Sequence, residues 1–176
     1  YKMSSSLPFS IIVAATTSWA IGKQGKLPWK LPTDMKFFKE LTTTASYQMK
    51  NAVIMGRITW DSLPNNYKPL PNRINIIISR STTIDISQYD DNVKIATSFT
   101  DALTILKSLE YRDIIDNIYV IGGGQIYKEA LQHSSLKYIY LTKINTEIEN
   151  CDVFIEPIIL TDYTITILQE TIIENN

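Results

Sequence analysis

The sequence predicts an α/β protein with a central, mainly parallel, twisted β-sheet and helices on both faces. Two observations lead to this prediction. Short, nearly continuous apolar runs recur along the chain, as in strands that are buried on both faces. Segments with helical periodicity separate these runs, and strands that alternate with helices favour a parallel sheet. The 176 residues contain no repeat or linker, so we expect one domain over residues 1–176, with a flexible amino terminus at 1–8.

The predicted strands follow the apolar and β-branched runs in chain order: residues 9–15, 52–55, 74–78, 93–96, 118–121 and 138–142. Loops rich in proline or polar residues, such as 64–71 and 81–92, separate some of them. One more strand is predicted over residues 164–173, with a turn at 174–176. That strand has no returning partner, which would leave a sheet edge exposed. We therefore expect that the last strand of the sheet is missing.

Four segments are predicted helices. The first begins at Pro32 and Thr33, because proline suits a first turn and threonine can cap one. The other three cover residues 58–63, 98–110 and 125–131. Ser98 and Asp101 resemble a capping box at the start of the third helix.

The first helix carries a carboxylate on its apolar face. Asp34, Phe37, Phe38 and Leu41 have the spacing of one helical face. A carboxylate is rarely buried without a partner. Two interpretations stay open from this helix alone. Asp34 is either a solvated acid that favours the positive end of the helix dipole, or the floor of an apolar pocket for a substrate with matching donors.

Composition and charge exclude several classes of protein. The net charge of -1 gives no general electrostatic basis for binding nucleic acid or a membrane. No apolar run approaches the ~20 residues of a membrane helix, and the first residues lack the apolar core of a signal peptide. One cysteine, Cys151, and one histidine, His133, leave no internal disulfide, Cys/His zinc site or histidine-based nucleophilic centre. His133 lies in a polar turn and is expected at the surface. We expect no metal and a cytoplasmic location.

Three strand ends carry residues that could bind phosphate. Gly122-Gly123-Gly124 precedes a helix, and glycines there let phosphates approach backbone N–H groups at the positive helix end. The motif is not the dinucleotide fingerprint, because Tyr127 stands in place of its last glycine, and a tight turn is the alternative. Gly56-Arg57-Ile58-Thr59 and Ser79-Arg80 follow two other strands, where open α/β sheets bind ligands. Arginine beside hydroxyl groups suits a phosphate monoester.

These residues belong to a longer series of motifs, and the chain closely resembles dihydrofolate reductase from residue 9 to about residue 171. The motifs that carry the resemblance are Ile12-Val13-Ala14, Ile21-Gly22, Leu27-Pro28-Trp29, Asp34 with Phe38, Ile54-Met55-Gly56-Arg57-x-Thr59-Trp60, Pro71-x-Arg73-x-Asn75, Ser79-Arg80, Ile121-Gly122-Gly123-Gly124-x-x-Tyr127, Thr142 and Cys151-Asp152-Val153-Phe154. The resemblance implies a fold of about eight strands and the NADPH-dependent reduction of 7,8-dihydrofolate to tetrahydrofolate.

For the substrate, the resemblance implies that Asp34 holds the pteridine N–H groups and promotes protonation at N5. Thr142 would brace Asp34, Trp29 would hold a water that relays the proton, and Tyr127 would lie near the nicotinamide; these four form the expected catalytic set. The Asp34 pKa should be raised by its apolar neighbours. Arg73 would clamp the glutamate α-carboxylate. The full expected substrate-binding set is Ile12, Val13, Asp34, Met35, Phe38, Leu63, Leu70, Arg73, Ile121 and Thr142, with the backbone carbonyls of Ile12 and Ile121 also receiving antifolate amino groups.

For NADPH, the resemblance implies that Arg57 and Ser79-Arg80 grip the 2′-phosphate, which predicts NADPH rather than NADH. Thr59 and the triple glycine would hold the pyrophosphate, and the loop 19–26 would close over the nicotinamide as a lid. The full expected cofactor set is Ala14, Ile21, Gly22, Gly56, Arg57, Ile58, Thr59, Ser79, Arg80, Ser81, Ile121, Gly122, Gly123, Gly124, Gln125, Ile126 and Tyr127. Ile58 and Gln125 stand where relatives often carry a cation, so charge contacts to the cofactor would be fewer than usual.

The expected partners are small molecules: dihydrofolate and antifolate inhibitors, with no nucleic acid and no membrane. The resemblance implies a monomer unless the chain is fused to thymidylate synthase, as in many protist relatives. Two alternatives remain open. One is a sister reductase that acts on a pyrimidine-ribose phosphate, against which Asp34 and Arg73 argue, because that substrate has no pteridine edge or glutamate tail. The other is an inactive binding module, against which the intact acid, clamp and glycine turn argue.

Overall fold

The structure is a computed structural model, and it describes residues 7–81 and 83–174. Its eight strands are β1 (Phe9–Thr16), β2 (Ala20–Gly22), β3 (Lys50–Gly56), β4 (Arg73–Ile78), β5 (Val93–Ala96), β6 (Ile115–Gly122), β7 (Leu136–Ile144) and β8 (Val153–Phe154). Its helices are α1 (Pro32–Thr43), α2 (Arg57–Ser62), α3 (Phe99–Lys107) and α4 (Gly124–Leu131), with short 3-10 turns at Asn65–Tyr67 and Leu160–Asp162. The predicted flexible segment 1–8 lies for the most part outside the described residues.

Six strands form one sheet in the order β5-β4-β3-β6-β1-β7, and every neighbouring pair is parallel. The remaining two strands, β2 and β8, form a small antiparallel pair beside it. The predicted fold class is therefore confirmed. Because all six strands run the same way, their carboxyl ends meet at one edge of the sheet, and β4, β3 and β6 are consecutive there.

The two faces of the sheet are covered by separate apolar clusters. Alternate residues of β1 point to opposite faces, so that Ile11 and Val13 belong to one cluster and Ile12 to the other. The first cluster contains the buried faces of α3 and α4, while Phe37 and Phe38 of α1 pack against the second. Burial on both faces explains why the strands are continuous apolar runs.

Helix α1 begins at Pro32, one residue before Thr33, which the sequence suggested as its cap. Pro32 occupies the first turn as predicted, but the residue before the helix is Leu31, whose side chain makes no capping hydrogen bond. Thr33 is inside the helix, and both its backbone N–H and its hydroxyl donate to Glu174 Oε1. The predicted cap of α3 is correct, since Ser98 Oγ accepts from the backbone N–H of Asp101.

The strand predicted over residues 164–173 is wrong. This segment is irregular and its side chains are exposed. A strand requires a neighbour for its backbone groups, and β7 pairs only with β1 among the residues that the structure describes. The apolar alternation of the segment is therefore not sufficient to make it a strand. The turn predicted at 174–176 lies largely outside the described residues.

His133 is not the surface residue that its polar turn suggested. It is half-buried, and its ring lies edge-on to those of Phe9 and Phe99 at centroid distances of 5.4 and 5.6 Å. Its Nδ1 accepts a hydrogen bond from the backbone N–H of Ser135. Tertiary packing of β1 and α3 against the turn gives the histidine a structural role. Among the described residues, no helix is long and apolar enough to cross a membrane.

Candidate functional site

Asp34 lies in the first turn of α1, and its carboxylate is held from the sheet. The hydroxyl of Thr142, on β7, donates to Asp34 Oδ1 at 2.6 Å. Thr142 pairs in register with Ala14 of β1, so its position is fixed by the sheet rather than by a loop. The sequence predicted both residues, and the structure brings them together.

The environment of Asp34 raises the pKa of its carboxyl group. The largest cause is burial, which disfavours the charged form, and the negative charge of Glu174 acts in the same direction. The hydrogen bond from Thr142 opposes them because it stabilises the carboxylate. Of the described residues, none forms an ion pair with Asp34. The group is therefore a half-buried acid without a cationic partner.

Apolar side chains form the walls beside Asp34. Ile12 and Leu70 are buried in the cluster on the α1 face of the sheet, and Phe38, Leu63 and Ile121 pack against that cluster. Met35 is 55% exposed. The side chain of Val13, which the sequence placed in the substrate set, belongs to the cluster on the other face. Only the backbone of Val13 is available to a ligand on this side.

Tyr127 connects α4 to this pocket. Its side chain is buried, and its hydroxyl donates to the backbone carbonyl of Ile12 at 2.8 Å. Burial raises the pKa of Tyr127 far above its ordinary value, with a smaller contribution from the charge of Asp34. Tyr127 is therefore a neutral donor, and it already contacts the carbonyl that was expected to receive a ligand amino group.

Arg73 is buried at the start of β4 without a carboxylate partner. It is 4% exposed, its Nε donates to the carbonyl of Pro71 at 2.9 Å, and its Nη1 donates to Thr42 Oγ1 at 2.9 Å. Burial lowers the pKa of the guanidinium to about 10. No described carboxylate forms an ion pair with it. It lines a cavity of about 300 Å³ together with Leu70. A buried cation of this kind is well suited to an external carboxylate.

Trp29 belongs to the loop that precedes α1, and its side chain is buried. It is 8% exposed, and its indole Nε1 has no hydrogen-bond partner among the described residues. Buried indole N–H groups usually find an acceptor. The donor is therefore available to a small polar molecule at the site.

A second cavity lies at the carboxyl ends of β3, β4 and β6. Its volume is about 220 Å³, and helices α2 and α4 both begin at it, with Arg57 and Gly124 as their first residues. Apart from Ile78, every residue of its lining belongs to the predicted cofactor set: Gly56, Arg57, Ile58, Gly123, Gly124, Gln125 and Ile126. The three phosphate-capable motifs are therefore neighbours, as the sheet order requires.

The glycine turn has a backbone that requires glycine at one position. Gly122 has φ of +126°, a conformation that other residues rarely adopt, and a Cβ there would be 3.2 Å from Thr59 Oγ1. A Cβ on Gly123 would be 3.5 Å from the same oxygen. The predicted neighbours Thr59 and the triple glycine are therefore in contact. An atom close to this turn approaches backbone N–H groups directly.

Of the polar residues near this cavity, Arg57 and Ser79 already make hydrogen bonds within the protein. Arg57 donates to Asp61 at 3.4 Å and to Thr83 Oγ1 at 3.1 Å. Ser79 is buried, and its hydroxyl exchanges hydrogen bonds with the backbone of Ser81, while Arg80 is exposed. These contacts hold the ends of β3 and β4 next to each other with hydroxyl and guanidinium groups at the surface.

Comparison with known proteins agrees with this arrangement. A family model described as dihydrofolate reductase matches residues 8–175. The chain belongs to the dihydrofolate reductase family. It is 42% identical over 146 residues to the dihydrofolate reductase of Schistosoma mansoni, covering 82% of this chain and 76% of that protein. The solved structure of the Schistosoma mansoni dihydrofolate reductase superposes with a TM-score of 0.84 at 38% identity, covering 97% of this chain and 93% of that one.

Plant relatives are longer than this chain. The bifunctional dihydrofolate reductase-thymidylate synthase of Glycine max is 48% identical over 158 residues, which are 89% of this chain but 29% of that protein. The chain therefore spans less than a third of the bifunctional relatives that it matches. Both stand-alone and fused members of the dihydrofolate reductase family are similar to it.

The loop 19–26, which the sequence predicts to be a lid, makes hydrogen bonds with the segment around β8. Gln24 donates its backbone N–H to the Asp152 carboxylate, and the Asp152 N–H donates to the carbonyl of Gly22 at 3.1 Å. Ser18 donates to Glu147 Oε2 at 2.6 Å, and Thr17 donates to its other oxygen. Two carboxylates, Glu147 and Asp152, therefore hold residues 17–24 against the segment that precedes and includes the start of β8.

Sequence reasoning missed three acidic residues of the site region. Asp152 was noted within a family motif, although no pattern indicated that it would bind the lid. Glu147 and Glu174 are isolated acids in polar segments, 130 and 141 positions away from their partners Thr17 and Thr33. Contacts at such separation leave no periodicity in the sequence, so no local pattern could have found them.

Proposed function

We propose that this chain reduces 7,8-dihydrofolate to 5,6,7,8-tetrahydrofolate with NADPH, by hydride transfer to C6 and protonation at N5 that Asp34 promotes. The observation that carries the proposal is a pair of unmatched charges, one on helix α1 and the other on β4 beside the far end of that helix. Among the described residues, Asp34 in the first turn of α1 has no cationic ion-pair partner, and Arg73, which contacts the last turn, has no carboxylate partner. Dihydrofolate has an amidine-like head and a carboxylate tail, which complement these two groups.

Asp34 binds the head of the substrate in this proposal. A carboxylate accepts two charge-assisted hydrogen bonds from an amino group and a neighbouring ring N–H. The raised pKa of Asp34 makes its protonated form accessible nearer to neutral pH, as a proton source requires. The indole N–H of Trp29 orients a water molecule that carries the proton toward N5.

Arg73 clamps the tail. Its guanidinium is oriented by Thr42 and by the carbonyl of Pro71, which leaves the remaining N–H groups for a carboxylate. Leu70, Leu63 and Phe38 belong to one apolar cluster, and in this proposal they contact the rings between head and tail. The substrate is thus recognised at both ends and along its length.

The residues of the second cavity fit NADPH. The chain has a turn that a Cβ at Gly122 would obstruct, the starts of two helices, and hydroxyl and guanidinium groups at neighbouring strand ends. The triple glycine and Thr59 would hold the pyrophosphate, and Arg57 with Ser79-Arg80 would hold the 2′-phosphate. The bound cofactor supplies the hydride, while the protein supplies alignment and excludes water by closing its lid.

An absorbance assay tests the proposal. Oxidation of NADPH is followed with dihydrofolate for the wild type and for Asp34→Asn. We expect wild-type turnover, and a loss of about two orders of magnitude or more in the variant, within the usual range for removal of an acid-base group. NADPH binding, measured by fluorescence, should be unchanged. A folded wild-type protein without activity would contradict the proposal.

The proposed partners are small molecules, dihydrofolate and antifolate inhibitors that share its amidine-like edge. We propose a monomeric reductase module in the cytoplasm, where a single cysteine suits reducing conditions. In a longer protein the same module could be joined to a thymidylate synthase, as in the fused plant relatives.

A further inference from the structure

The start of α1 is contacted by a carboxylate from the far end of the chain. Glu174 Oε1 accepts a 3.0 Å hydrogen bond from the backbone N–H of Thr33 and a second one from its hydroxyl. The segment that leads to Glu174 has no regular structure and is exposed over residues 163–173, whereas Glu174 itself is half-buried. The Glu174 side chain therefore fastens the end of this segment, as far as the structure describes it, to the start of α1.

This contact lies beside the substrate acid. Thr33 directly precedes Asp34, so the two carboxylates are close neighbours at the same helix start. The Glu174 charge is the largest charge effect that acts on Asp34. The other groups that face Asp34 are Thr142 from β7, which is uncharged, and Tyr127 from α4, which stays neutral because it is buried. Among the residues that the structure describes, Glu174 is therefore the charged group that acts on Asp34.

Glu174 and Asp34 both lie near the start of α1, where a helix favours negative charge. An isolated N-terminal acid gains from the helix dipole, and Glu174 obtains that gain together with two donors. Its negative charge then opposes the ionisation of Asp34. A carboxylic acid that must give up a proton and then regain one from solvent benefits from a neighbour that favours its protonated form.

We propose that Glu174 is a positioning residue for the reaction, and that its carboxylate, bound to Thr33 at the start of α1, is held beside Asp34 to influence the proton that Asp34 supplies. The inference rests on the proposed function, because it concerns the proton that Asp34 supplies. Glu174 itself touches neither substrate nor cofactor in this proposal. It acts through Thr33 and through the field at Asp34.

Two substitutions at one position separate charge from anchoring. Glu174→Gln removes the charge but keeps an amide oxygen that can accept from Thr33. Glu174→Ala removes both. Glu170→Gln is the matched control, because Glu170 is an exposed acid on the same segment. All three variants are made in the full-length protein, and turnover with saturating NADPH and dihydrofolate is measured across a range of pH.

If Asp34 must be protonated, turnover is high below its pKa and falls as pH rises through it. Glu174→Gln should shift this descending limb to lower pH, with equal turnover on the acid side and a loss confined to the alkaline side. Glu174→Ala should show the same shift together with a raised KM, since α1 loses an anchor. Glu170→Gln should coincide with the wild type. A Glu174→Gln profile that coincides with the wild type would overturn the inference.

A second measurement does not depend on turnover. The carboxyl carbon of Asp34, assigned by comparison with Asp34→Asn, is titrated by NMR in protein labelled with 13C-aspartate. Its midpoint should be lower in Glu174→Gln than in the wild type and unchanged in Glu170→Gln. If the wild type does not reduce dihydrofolate, the proposed function fails whatever the titration gives. If it does reduce dihydrofolate and the midpoint does not move, only the role of Glu174 fails.

Discussion

The hydroxyl of Thr142 and the carboxylate of Asp34 are joined by a 2.6 Å hydrogen bond across 108 positions of sequence. The donor belongs to a sheet strand and the acceptor to the first turn of a helix. The bond therefore orients the carboxylate. It also lowers the pKa of Asp34, since a donor stabilises the charged form.

Thr142→Val removes this donor while keeping the shape of the side chain. The pKa of Asp34 should rise further, because the bond lowers it. The descending limb of the pH profile should move to higher pH, opposite to the shift expected for Glu174→Gln. On the acid side, where the carboxyl group is neutral, turnover should fall by about two- to tenfold, as one hydrogen bond between neutral groups is worth about 0.5–1.5 kcal/mol. Thr146→Val, at an exposed turn, is the control. An unshifted limb would show that Thr142 does not influence the proton.

Arg73→Lys tests the clamp at the other end of the pocket. Lysine keeps the charge but loses the planar fork that binds a carboxylate with two bonds. KM for dihydrofolate should rise about 10- to 100-fold, since charge-assisted bonds are worth about 1.5–3 kcal/mol. Steady-state kinetics should be repeated with a reduced pterin that has no glutamate tail. For that substrate the variant and the wild type should be equal, and Arg112→Lys, at an exposed arginine, should change neither value. Equal losses with both substrates would argue for general misfolding.

Gly122→Ala tests the glycine turn, and its neighbour provides the control. Alanine at 122 must adopt φ near +126° and approach Thr59 Oγ1 to 3.2 Å, whereas Gly123 has φ of -92°. Gly122→Ala should lower the free energy of unfolding by about 1–3 kcal/mol and weaken NADPH binding. Gly123→Ala should be less destabilising. Urea unfolding and a fluorescence titration with NADPH measure the two effects. The prediction fails if the two variants unfold alike.

Glu147→Gln tests the hydrogen bonds that hold the segment 17–24, next to and within the predicted lid. Glu147 accepts from Thr17 and Ser18, and its loss should open residues 17–24 more often. These contacts are exposed and worth about 1 kcal/mol together, so amide hydrogen exchange in this segment should accelerate about fivefold. Exchange in β3 and β6 should not change. Glu156→Gln, at another exposed acid, serves as the control. Unchanged exchange in residues 17–24 would show that the contacts of Asp152 and Lys23 and the pairing of β2 with β8 hold this segment without Glu147.

Strands β1, β3 and β4 were predictable because they are buried on both faces and therefore carry nearly uninterrupted apolar runs. Strands β2 and β8 were not, since two or three residues contain no periodicity to detect. The segment 164–173 has the alternation of a strand without a partner, and His133 has the neighbours of a surface turn but packs on two phenylalanines. The apolar pattern of a segment indicates which conformation that segment favours locally. Whether the segment pairs in a sheet or packs in the core depends on residues that are distant in the sequence.

The site shows the same division. Asp34, Arg73 and the glycine turn were identified from residue type and position along strands and helices, with the family resemblance supplying their expected roles. The contacts of Glu147, Asp152 and Glu174 depend on where loops cross in space, so they required a structure.

Helix α1 also sets a length. Asp34 lies in its first turn, and Thr42, which orients Arg73, lies in its last. The eight-residue separation corresponds to roughly 12 Å at about 1.5 Å per residue. The helix therefore acts as a ruler: a ligand satisfies both charges only if its hydrogen-bonding head and its anionic end are separated by a matching span. A shorter molecule can bind Asp34 but cannot also reach Arg73. The length of α1 therefore selects ligands by the distance between their two polar ends.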